Sequence, residues 1–592
     1  MNMTLKNRLY HAVPALVALA ALLLYVRAVG YEYVWDDLTY LRWNSQYMGL
    51  AGAIRSFTEP FYLYSSYYRP LAMLSFVVPG GPPVQHGINV ALHAVNTVLV
   101  LYVARALMPQ EVGESKAGQW AAALGALLFA VHPVAVESTV WVSGRFDTLM
   151  CTLVLGTCVA ALGGELTRKR LILVFALFAC AMGSKESALG LPVAIPFLLL
   201  LKWRLEGKEA VQIKAQMGVL MRVLAALALA VALYTAARLV VVQALFADKA
   251  TFAGGSVLDK LNVASLAVAA FVKLIVAPLS HSAPLHPFKY ETGSGLLTNT
   301  LVVVACVLAL LAAVGLKKPK LNFPLALLAA LAMSWPVLHL IGIPNGENII
   351  SDRYALVPLA LLLAGLAAVA GAWGARRVPE FGASGQRIPL YAAAGCLLWA
   401  GALAAYSNAT IPLWRDRVVF WSFAYKQAPD SMIAHMGYVR ILMLQKRWDE
   451  AKAEMDTFGE RHPGAILDAM DLINVAMILE KTGNHEEARE LFQTLEEHME
   501  RRDVPARNKS ELYGIRAGLE VEAGNWEQAA HYLEKAVQFA PTNRHAALQY
   551  ARALFMTGQT ERADEVFERT LVGVSPDTVE RARRWRADWK RE

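Results

Sequence analysis

The chain has 592 residues, of which 56% are hydrophobic and 18% charged, and its mean hydropathy is +0.38. A soluble globular domain is about 45–50% apolar, so this composition indicates a membrane protein. The net charge of +8 divides into about +12 for residues 1–408, which hold the apolar runs, and about −4 for residues 409–592, which read as soluble protein. No basic face with interleaved aromatic residues is visible, which argues against nucleic acid as a partner.

All five cysteines lie inside apolar runs and none is in a CxxC pair or near a histidine at metal spacing. We therefore predict no disulfide framework and no structural zinc. The first apolar run follows Lys6 and Arg8 and has no convincing small-residue cleavage site after it. It is predicted to be an uncleaved first span.

Eleven apolar runs are candidates for membrane-spanning helices, which need about 20 mostly apolar residues. They are 11–29, 87–108, 119–136, 147–163, 169–183, 188–202, 219–241, 297–315, 322–343, 353–373 and 388–408. Segment 261–279 is ambiguous because it contains Lys273 and Pro278. The prediction is an all-α membrane domain with about eleven spans and additional interfacial or re-entrant helices.

Clusters of basic residues flank these runs, and the positive-inside rule places such clusters in the cytoplasm. They are Lys6 and Arg8; Arg168, Lys169 and Arg170; Lys202, Arg204, Lys208 and Lys214; Lys317, Lys318 and Lys320; and Arg376, Arg377 and Arg387. Eleven spans satisfy all of them if 261–279 does not cross. The N-terminus is then cytoplasmic, whereas loop 30–86 and the tail after Asn408 are periplasmic or lumenal.

The tail repeats one pattern four times, at 448–458, 485–495, 526–537 and 560–571. The anchoring alanines, at 451, 488, 529 and 563, are spaced 37, 41 and 34 residues apart. A period near 34 with small residues at the helix crossing is the signature of tetratricopeptide (TPR) repeats. We predict a membrane domain at 1–408, a linker at 409–430 and a TPR solenoid at 431–592, with 581–590 in a capping helix. The solenoid is expected to bind a peptide or protein; the alternative is a structural lid.

Trp35-Asp36-Asp37 follows the first span, where two adjacent carboxylates are costly unless they are solvated or paired. One of them could act as a general base toward an acceptor hydroxyl. The alternative is that the pair caps an interfacial helix beginning at Leu38.

Further polar residues cluster at span ends that the predicted topology places near the same membrane face. They are Arg69, His86, His132, Glu137, Arg145, Asp147, Lys185, Glu186, Glu347, Asp352 and Arg353. The basic members suit a phosphate or pyrophosphate headgroup, because guanidinium groups bind phosphate in a bidentate manner. Lys185 with Glu186, or Asp352 with Arg353, could instead be structural ion pairs. His93 fits a packed helix histidine better than a ligand.

Several segments, in this order, carry a family resemblance. They are the first-loop Asp-Asp, YRPLAMLSF, HGINVALHAVNTVLV, ALLFAVHPVAVESTVWVSGRFDTL, GSKESALGLPVAIP and SDRYALVPLALLLAG, followed by the TPR units. The chain resembles a prokaryotic member of the transmembrane-and-TPR O-mannosyltransferase family, in the GT-C class of polytopic glycosyltransferases. The resemblance implies a polyprenyl-phosphate sugar donor and transfer on the outer face. It makes Asp36 or Asp37 the catalytic carboxylate.

The resemblance gives the remaining polar residues a role in the donor-phosphate site or its cavity. These are Arg69, His132, Glu137, Arg145, Asp147, Lys185, Glu186, Asp352 and Arg353. A divalent cation could share the task, and metal dependence is left open. The predicted function is transfer of a sugar to an acceptor hydroxyl, with protein Ser/Thr favoured over lipid or glycan, in a bacterial inner membrane. The rival functions are a membrane-anchored TPR scaffold for envelope proteins and a transporter or flippase, although no internal repeat supports the latter.

Overall fold

The computed structural model describes residues 2–37, 50–60, 67–243, 257–280, 286–287, 294–315, 322–340, 348–377, 387–463, 465, 467, 469–499, 506–541, 543–572 and 576–589. The chain divides into two compact units, Met1–Ala434 and His435–Glu592.

The first unit is built mainly from helices. Its α-helices are α1 Asn2–Tyr25, α2 Leu50–Thr58, α3 Pro70–Phe76, α4 Pro82–Leu107, α5 Gln110–Glu114, α6 Lys116–Val131, α7 Val134–Val140, α8 Arg145–Leu162, α9 Arg168–Ser184, α10 Leu191–Leu205, α11 Ala210–Ala215, α12 Met217–Val242, α13 Val257–Val276, α14 Ser294–Gly315, α15 Phe323–Ser334, α16 Leu356–Arg377, α17 Arg387–Thr410 and α18 Arg417–Gln427. Single 3-10 turns lie at Val26–Gly30, Val142–Gly144, Glu186–Gly190, Pro278–Ser280, Trp335–Val337, Asp352–Ala355 and Ile411–Trp414. A short antiparallel pair joins β1 His286–Pro287 to β2 Asn348–Ile350.

The predicted fold class, an all-α membrane domain followed by a TPR solenoid, is confirmed. Within the described residues, seven helical segments are long and apolar enough to cross a membrane, or eight if the bent pair α6–α7 counts as one span. Helix α6 stops at His132-Pro133, and α7 continues at an angle of 62°.

The seven or eight segments are fewer than the eleven predicted runs. The runs at 169–183, 297–315 and 322–343 correspond to α9, α14 and α15, which are not among the seven. Helix α9 has only 17 residues and α15 only 12, so neither has the length of a full apolar span. Helix α13, in the ambiguous segment, is not among the seven either and carries Asp259 and Lys273. The number of crossings and the orientation stay predictions.

Small residues bring the central helices together. Helix α16 packs against α6 and α15. A Cβ on Gly125 of α6 would lie 2.9 Å from Cβ of Ala367, and one on Gly365 would lie 2.6 Å from Cβ of Ala326. Close backbone approach through small residues is how helices associate where water provides no drive.

Basic side chains cap the C-terminal ends of the first unit's helices, where carbonyls lack partners within the helix. The bonds run from Arg170 to Val159 and Ala160, from Lys202 to Ala106, from Arg204 to Val314 and from Arg376 to Leu205, at 2.6–3.1 Å. Positive charge at a helix C-terminus also opposes the negative end of the macrodipole. The C-terminal ends of α4, α10, α14 and α16 are therefore neighbours, and their N-terminal ends lie on the opposite side.

The second unit consists of helical hairpins. Its helices, counting α19 that begins at the unit boundary, are α19 Met432–Leu444, α20 Trp448–Arg461, α21 Ala469–Lys481, α22 His485–Met499, α23 Ala506–Glu522, α24 Trp526–Phe539, α25 Arg544–Met556, α26 Thr560–Thr570 and α27 Pro576–Asp588. The four repeat alanines, at 451, 488, 529 and 563, are fully buried in the second helix of each hairpin. Gly483, Gly524 and Gly558 adopt positive φ at the turns, and Lys446 takes the same conformation in the first repeat.

Candidate active site

The Asp36–Asp37 turn places its two carboxylates in different surroundings. Asp37 is fully buried; one oxygen accepts the Val34 N–H at 3.1 Å, and the other accepts the N–H and hydroxyl of Ser143 at 2.8 and 2.5 Å. Burial raises the pKa of Asp37 to about 7, while these hydrogen bonds oppose the rise. Asp36 is only half-buried. Of the two carboxylates predicted as alternatives for catalysis, Asp37 is enclosed and Asp36 is more accessible.

Trp35, which precedes the pair, has a left-handed backbone with φ of 51°. Its ring stacks on Trp141 with centroids 5.0 Å apart and lies 5.8 Å from Phe420 and 6.0 Å from Trp421. Trp414 completes the group at 4.8 Å from Phe420. A bulky residue at positive φ is an outlier that persists only where its surroundings hold it. These five residues form the aromatic cluster.

Arg145 is fully buried, and its guanidinium bonds to neutral acceptors of the protein. Nε donates to Asn89 Oδ1 at 2.8 Å, and the terminal nitrogens donate to Gln85 Oε1 at 2.7 Å, Gln85 O at 2.6 Å and Ser75 O at 3.0 Å. The group also lies over the Phe76 ring at 4.5 Å. These bonds join the starts of α4 and α8 to the end of α3.

Two buried ion pairs meet between α7, α8 and the turn before α16. Lys185 Nζ lies 2.6 and 2.7 Å from the two carboxylate oxygens of Asp147. Arg353 donates from its guanidinium to Glu137, and its backbone N–H donates to the second Glu137 oxygen at 2.9 Å. Arg353 Nε is also 4.0 Å from Asp147. The predicted alternatives paired Lys185 with Glu186 and Asp352 with Arg353, whereas here Lys185 pairs with Asp147 and Arg353 with Glu137.

A third group has two arginines and one carboxylate. Arg69 Nε donates to Glu186 Oε2 at 2.9 Å, and Arg238 Nη1 lies 3.8 Å from Glu186 Oε1. Arg69 also lies over the rings of Tyr67, at 4.3 Å, and Phe146, at 5.1 Å. The Glu186 side chain is 31% exposed, so this group is the more open one. We call Arg69, Glu186 and Arg238 the arginine pair group.

These groups are contiguous. The Trp141 ring contacts Trp35 on the acidic turn and lies 5.2 Å from the Arg353 guanidinium. Lys185 and Glu186 are consecutive in sequence, and they link two groups. Lys185 belongs to the buried ion pairs, through Asp147, and Glu186 belongs to the arginine pair group. The structure thus brings the predicted carboxylates and basic residues into one connected set within the first unit.

The histidines are held by backbone contacts. His132 Nδ1 accepts the Val134 N–H at 3.2 Å, and its Nε2 is 3.2 Å from the Ile275 carbonyl, so the proton is on Nε2. His132 therefore provides a hydrogen-bond acceptor for the first N–H of α7, at the break after α6. Asp352 is near enough to interact with His132 electrostatically. His93 packs against Tyr25 and bonds to Ala130 O, as a packed helix histidine does.

In the part of the chain that the structure describes, no three His, Cys, Asp or Glu side chains are grouped so that they could hold a metal ion. Glu347, predicted at the site, lies outside the described residues. The sequence prediction missed Arg238 and Tyr67. Arg238 had a usable signal, because it is a charged residue within the 26-residue apolar helix α12.

Comparison with known proteins finds a matching repeat family and several similar chains. The tetratricopeptide repeat family matches residues 520–571. The chain is 33% identical over 183 residues to protein O-mannosyl-transferase Tmtc1 of Drosophila melanogaster, covering 28% of this chain and 20% of the relative. It is 35% identical over 150 residues to Drosophila Tmtc2, covering 23% and 15%. For mouse TMTC1 the match is 32% over 161 residues, covering 24% and 16%.

Among solved structures, yeast Tom70 aligns over 82% of this chain and 95% of its own, at 13% identity and a TM-score of 0.20, which is too low to indicate a shared fold. The chain spans no more than a fifth of the length of the curated relatives it matches. The predicted resemblance is nevertheless confirmed: this multi-pass membrane chain with TPR repeats is similar to the transmembrane-and-TPR protein O-mannosyltransferases.

Proposed function

We propose that this chain is a GT-C glycosyltransferase that moves a sugar from a polyprenyl-phosphate donor to a hydroxyl of a protein acceptor. The reaction takes place on the non-cytoplasmic face, with the N-terminus in the cytoplasm and the TPR unit in the periplasm of a bacterial inner membrane. The similar proteins are named O-mannosyl-transferases, so mannose is the first sugar to test.

The observation that carries this proposal is that an acidic turn adjoins a cationic group where several helices begin. Arg69 precedes α3, Arg145 begins α8, Glu186 lies just before α10, and Arg353 just before α16. The N-terminal end of a helix carries partial positive charge and exposed N–H groups, which favour anions. A phosphate of the donor fits this group of helix N-termini and cationic side chains. A protein that only anchors a TPR scaffold would not need charged residues here.

The arginine pair group is the best candidate for the donor phosphate. Lys185 and Arg353 each have a carboxylate partner within the protein. Arg69 and Arg238 both lie beside the carboxylate of Glu186, whose side chain is 31% exposed, so two guanidinium groups converge where a donor phosphate can reach them. We assign the phosphate to Arg69 and Arg238. Lys185, Arg353, Glu137 and Asp147 then hold the helix starts in place, and Arg145 positions α4 against α8.

Asp36 is the better candidate for the general base. Asp37 is enclosed and accepts three hydrogen bonds from Val34 and Ser143, so it is suited to holding the turn. The half-buried Asp36 beside it can meet an acceptor hydroxyl. Asp36 takes the hydroxyl proton while the acceptor oxygen bonds to the anomeric carbon. The bond from that carbon to the phosphate oxygen breaks, and the arginines stabilise the charge on the departing polyprenyl phosphate.

A reconstituted transfer assay tests the donor class. The full chain in liposomes receives either polyprenyl-phosphate mannose or a nucleotide-activated mannose, together with a Ser/Thr-rich acceptor protein. The proposal predicts glycosylated protein with the lipid donor alone. Transfer from the nucleotide sugar, or none from lipid-linked mannose and other lipid-linked sugars, would contradict it.

A further inference from the structure

The segment after the last apolar helix packs on the acidic turn rather than running free. Residues 411–427 comprise the turn Ile411–Trp414 and α18, and we call them the junction segment. Asp416 caps α18 by accepting the Val419 N–H at 2.8 Å. Phe420 and Trp421 are buried in the first two turns of that helix. This short helix therefore presents an aromatic face to its surroundings.

Three hydrogen bonds fix the junction segment and the helix before it. The Glu32 N–H donates to the Arg415 carbonyl at 2.9 Å, which ties the junction segment to the strand-like stretch before the acidic turn. The Ser407 hydroxyl donates to Val131 O at 2.8 Å, at the break between α6 and α7, and Arg27 donates to the Asn408 carbonyl. The junction segment and the end of α17 are thus bonded to the stretch before the acidic turn, to the end of α6 and to the turn after α1.

The turn needs such support. A left-handed backbone costs a residue with a Cβ roughly 1–2 kcal/mol, and it persists where packing over-determines it. Ser143 holds the turn from one side through Asp37. On the other side, the Trp35 ring contacts Trp141 and the two rings of α18, Phe420 at 5.8 Å and Trp421 at 6.0 Å. Asp36 lies in the chain between Trp35 and Asp37, the two residues that these contacts fix.

We propose that the junction segment is part of the active site, with Phe420 and Trp421 as positioning residues that fix the Trp35 turn and thereby the carboxylate of Asp36. This inference rests on the proposed function, because it assigns to Asp36 the role of base. The same chain segment continues into the first TPR hairpin. The residues that hold the base are therefore also those that connect it covalently to the repeat unit.

The test uses the full chain with Trp421→Ala, Trp421→Phe and, as a control, Trp399→Ala on α17, where Trp399 is 42% exposed. Displacement of a catalytic group by about 1 Å lowers turnover by up to about 100-fold. We expect Trp421→Ala to lower kcat at least about tenfold with an unchanged KM for the lipid donor, and Trp421→Phe to restore most of it. Trp399→Ala should match the wild type.

Hydrogen exchange provides a readout that does not depend on transfer activity. The Glu32 amide, bonded to Arg415 O, should exchange faster in Trp421→Ala but not in Trp421→Phe or the control. If the Ala variant does not fold, Trp421→Leu takes its place. Wild-type kcat together with wild-type protection of Glu32 would overturn the inference. A wild-type chain without transfer activity would refute the proposed function, and the exchange result would still decide whether the junction segment holds the turn.

Discussion

Ser143 donates two hydrogen bonds to the carboxylate of Asp37, from its N–H at 2.8 Å and its hydroxyl at 2.5 Å, although the residues are 106 positions apart. The short turn that provides these donors is tightly packed. A Cβ on the next residue, Gly144, would lie 2.5 Å from the Ser138 carbonyl oxygen, so a larger residue would displace the turn. The position of the acidic turn therefore depends on the connection between α7 and α8.

The burial of Asp37 predicts a pH dependence of stability. Its pKa of about 7 in the folded protein is above the ordinary 3.8, so the native state binds the proton more tightly than the unfolded chain does. The stabilisation is complete below about pH 4 and is lost as the pH rises to about 7. The difference in Tm between the wild type and Asp37→Asn should fall over this range and level off above it. A difference independent of pH would contradict the environment assigned to Asp37.

The Glu137–Arg353 pair predicts strong coupling between two substitutions. Removing one member leaves a buried charge without its partner, which costs about 3–5 kcal/mol, and removing both costs less than the sum. Thermal unfolding of Glu137→Gln, Arg353→Gln and the double variant measures this. The exposed pair Arg55–Glu59, at 3.7 Å, is the control and should couple by no more than about 1 kcal/mol. Additive effects at Glu137 and Arg353 would show that the pair is not buried as described.

The phosphate assignment predicts a donor-binding defect from a residue within an apolar helix. Arg238→Gln should raise the KM for the lipid donor at least about tenfold, because a charged hydrogen bond contributes about 1.5–3 kcal/mol. Arg222→Gln, an exposed position on the same helix α12, is the control and should leave the KM unchanged. An equal effect of both variants, or none at Arg238, would remove Arg238 from the donor site.

The turn in the first repeat has a strained backbone at Lys446 that a substitution can relieve. Lys446 has φ of 59°, where the later repeats have glycine at 78–83°. Lys446→Gly should stabilise the chain by about 1 kcal/mol, because glycine adopts this backbone without a steric penalty. Lys446→Ala keeps the penalty and should have little effect. Thermal unfolding followed by circular dichroism compares the two. A gain from alanine equal to that from glycine would point to the lysine side chain as the cause.

Much of the fold follows from local sequence patterns. The buried repeat alanines at 451, 488, 529 and 563 and the positive-φ glycines at 483, 524 and 558 lie where the repeated sequence pattern of the tail puts them. Within the membrane part, burying a charged side chain among apolar residues costs free energy. This cost alone predicts that the polar residues at the ends of the spans lie together, where they can pair.

Partners and burial did not follow from the sequence, because they depend on contacts between distant helices. Lys185 pairs with Asp147 rather than with its neighbour Glu186, since Lys185 has an extended backbone and the 3-10 turn begins only at Glu186. Arg145 bonds to Gln85 and Asn89, whose role no local pattern indicated. The packing of residues 411–427, predicted as part of a linker, on the acidic turn likewise depends on ring contacts with residues almost 400 positions earlier.

The most direct measurement compares Asp36→Asn with Asp37→Asn in transfer from polyprenyl-phosphate mannose to an acceptor protein. Loss of a general base lowers kcat by about 100- to 10,000-fold. We expect a loss of this size for Asp36→Asn with donor binding retained. Asp37→Asn, which keeps part of the hydrogen bonding to Ser143, should have a smaller loss. Wild-type turnover in Asp36→Asn would contradict the assignment of the base, and wild-type turnover in both variants would contradict the active site itself.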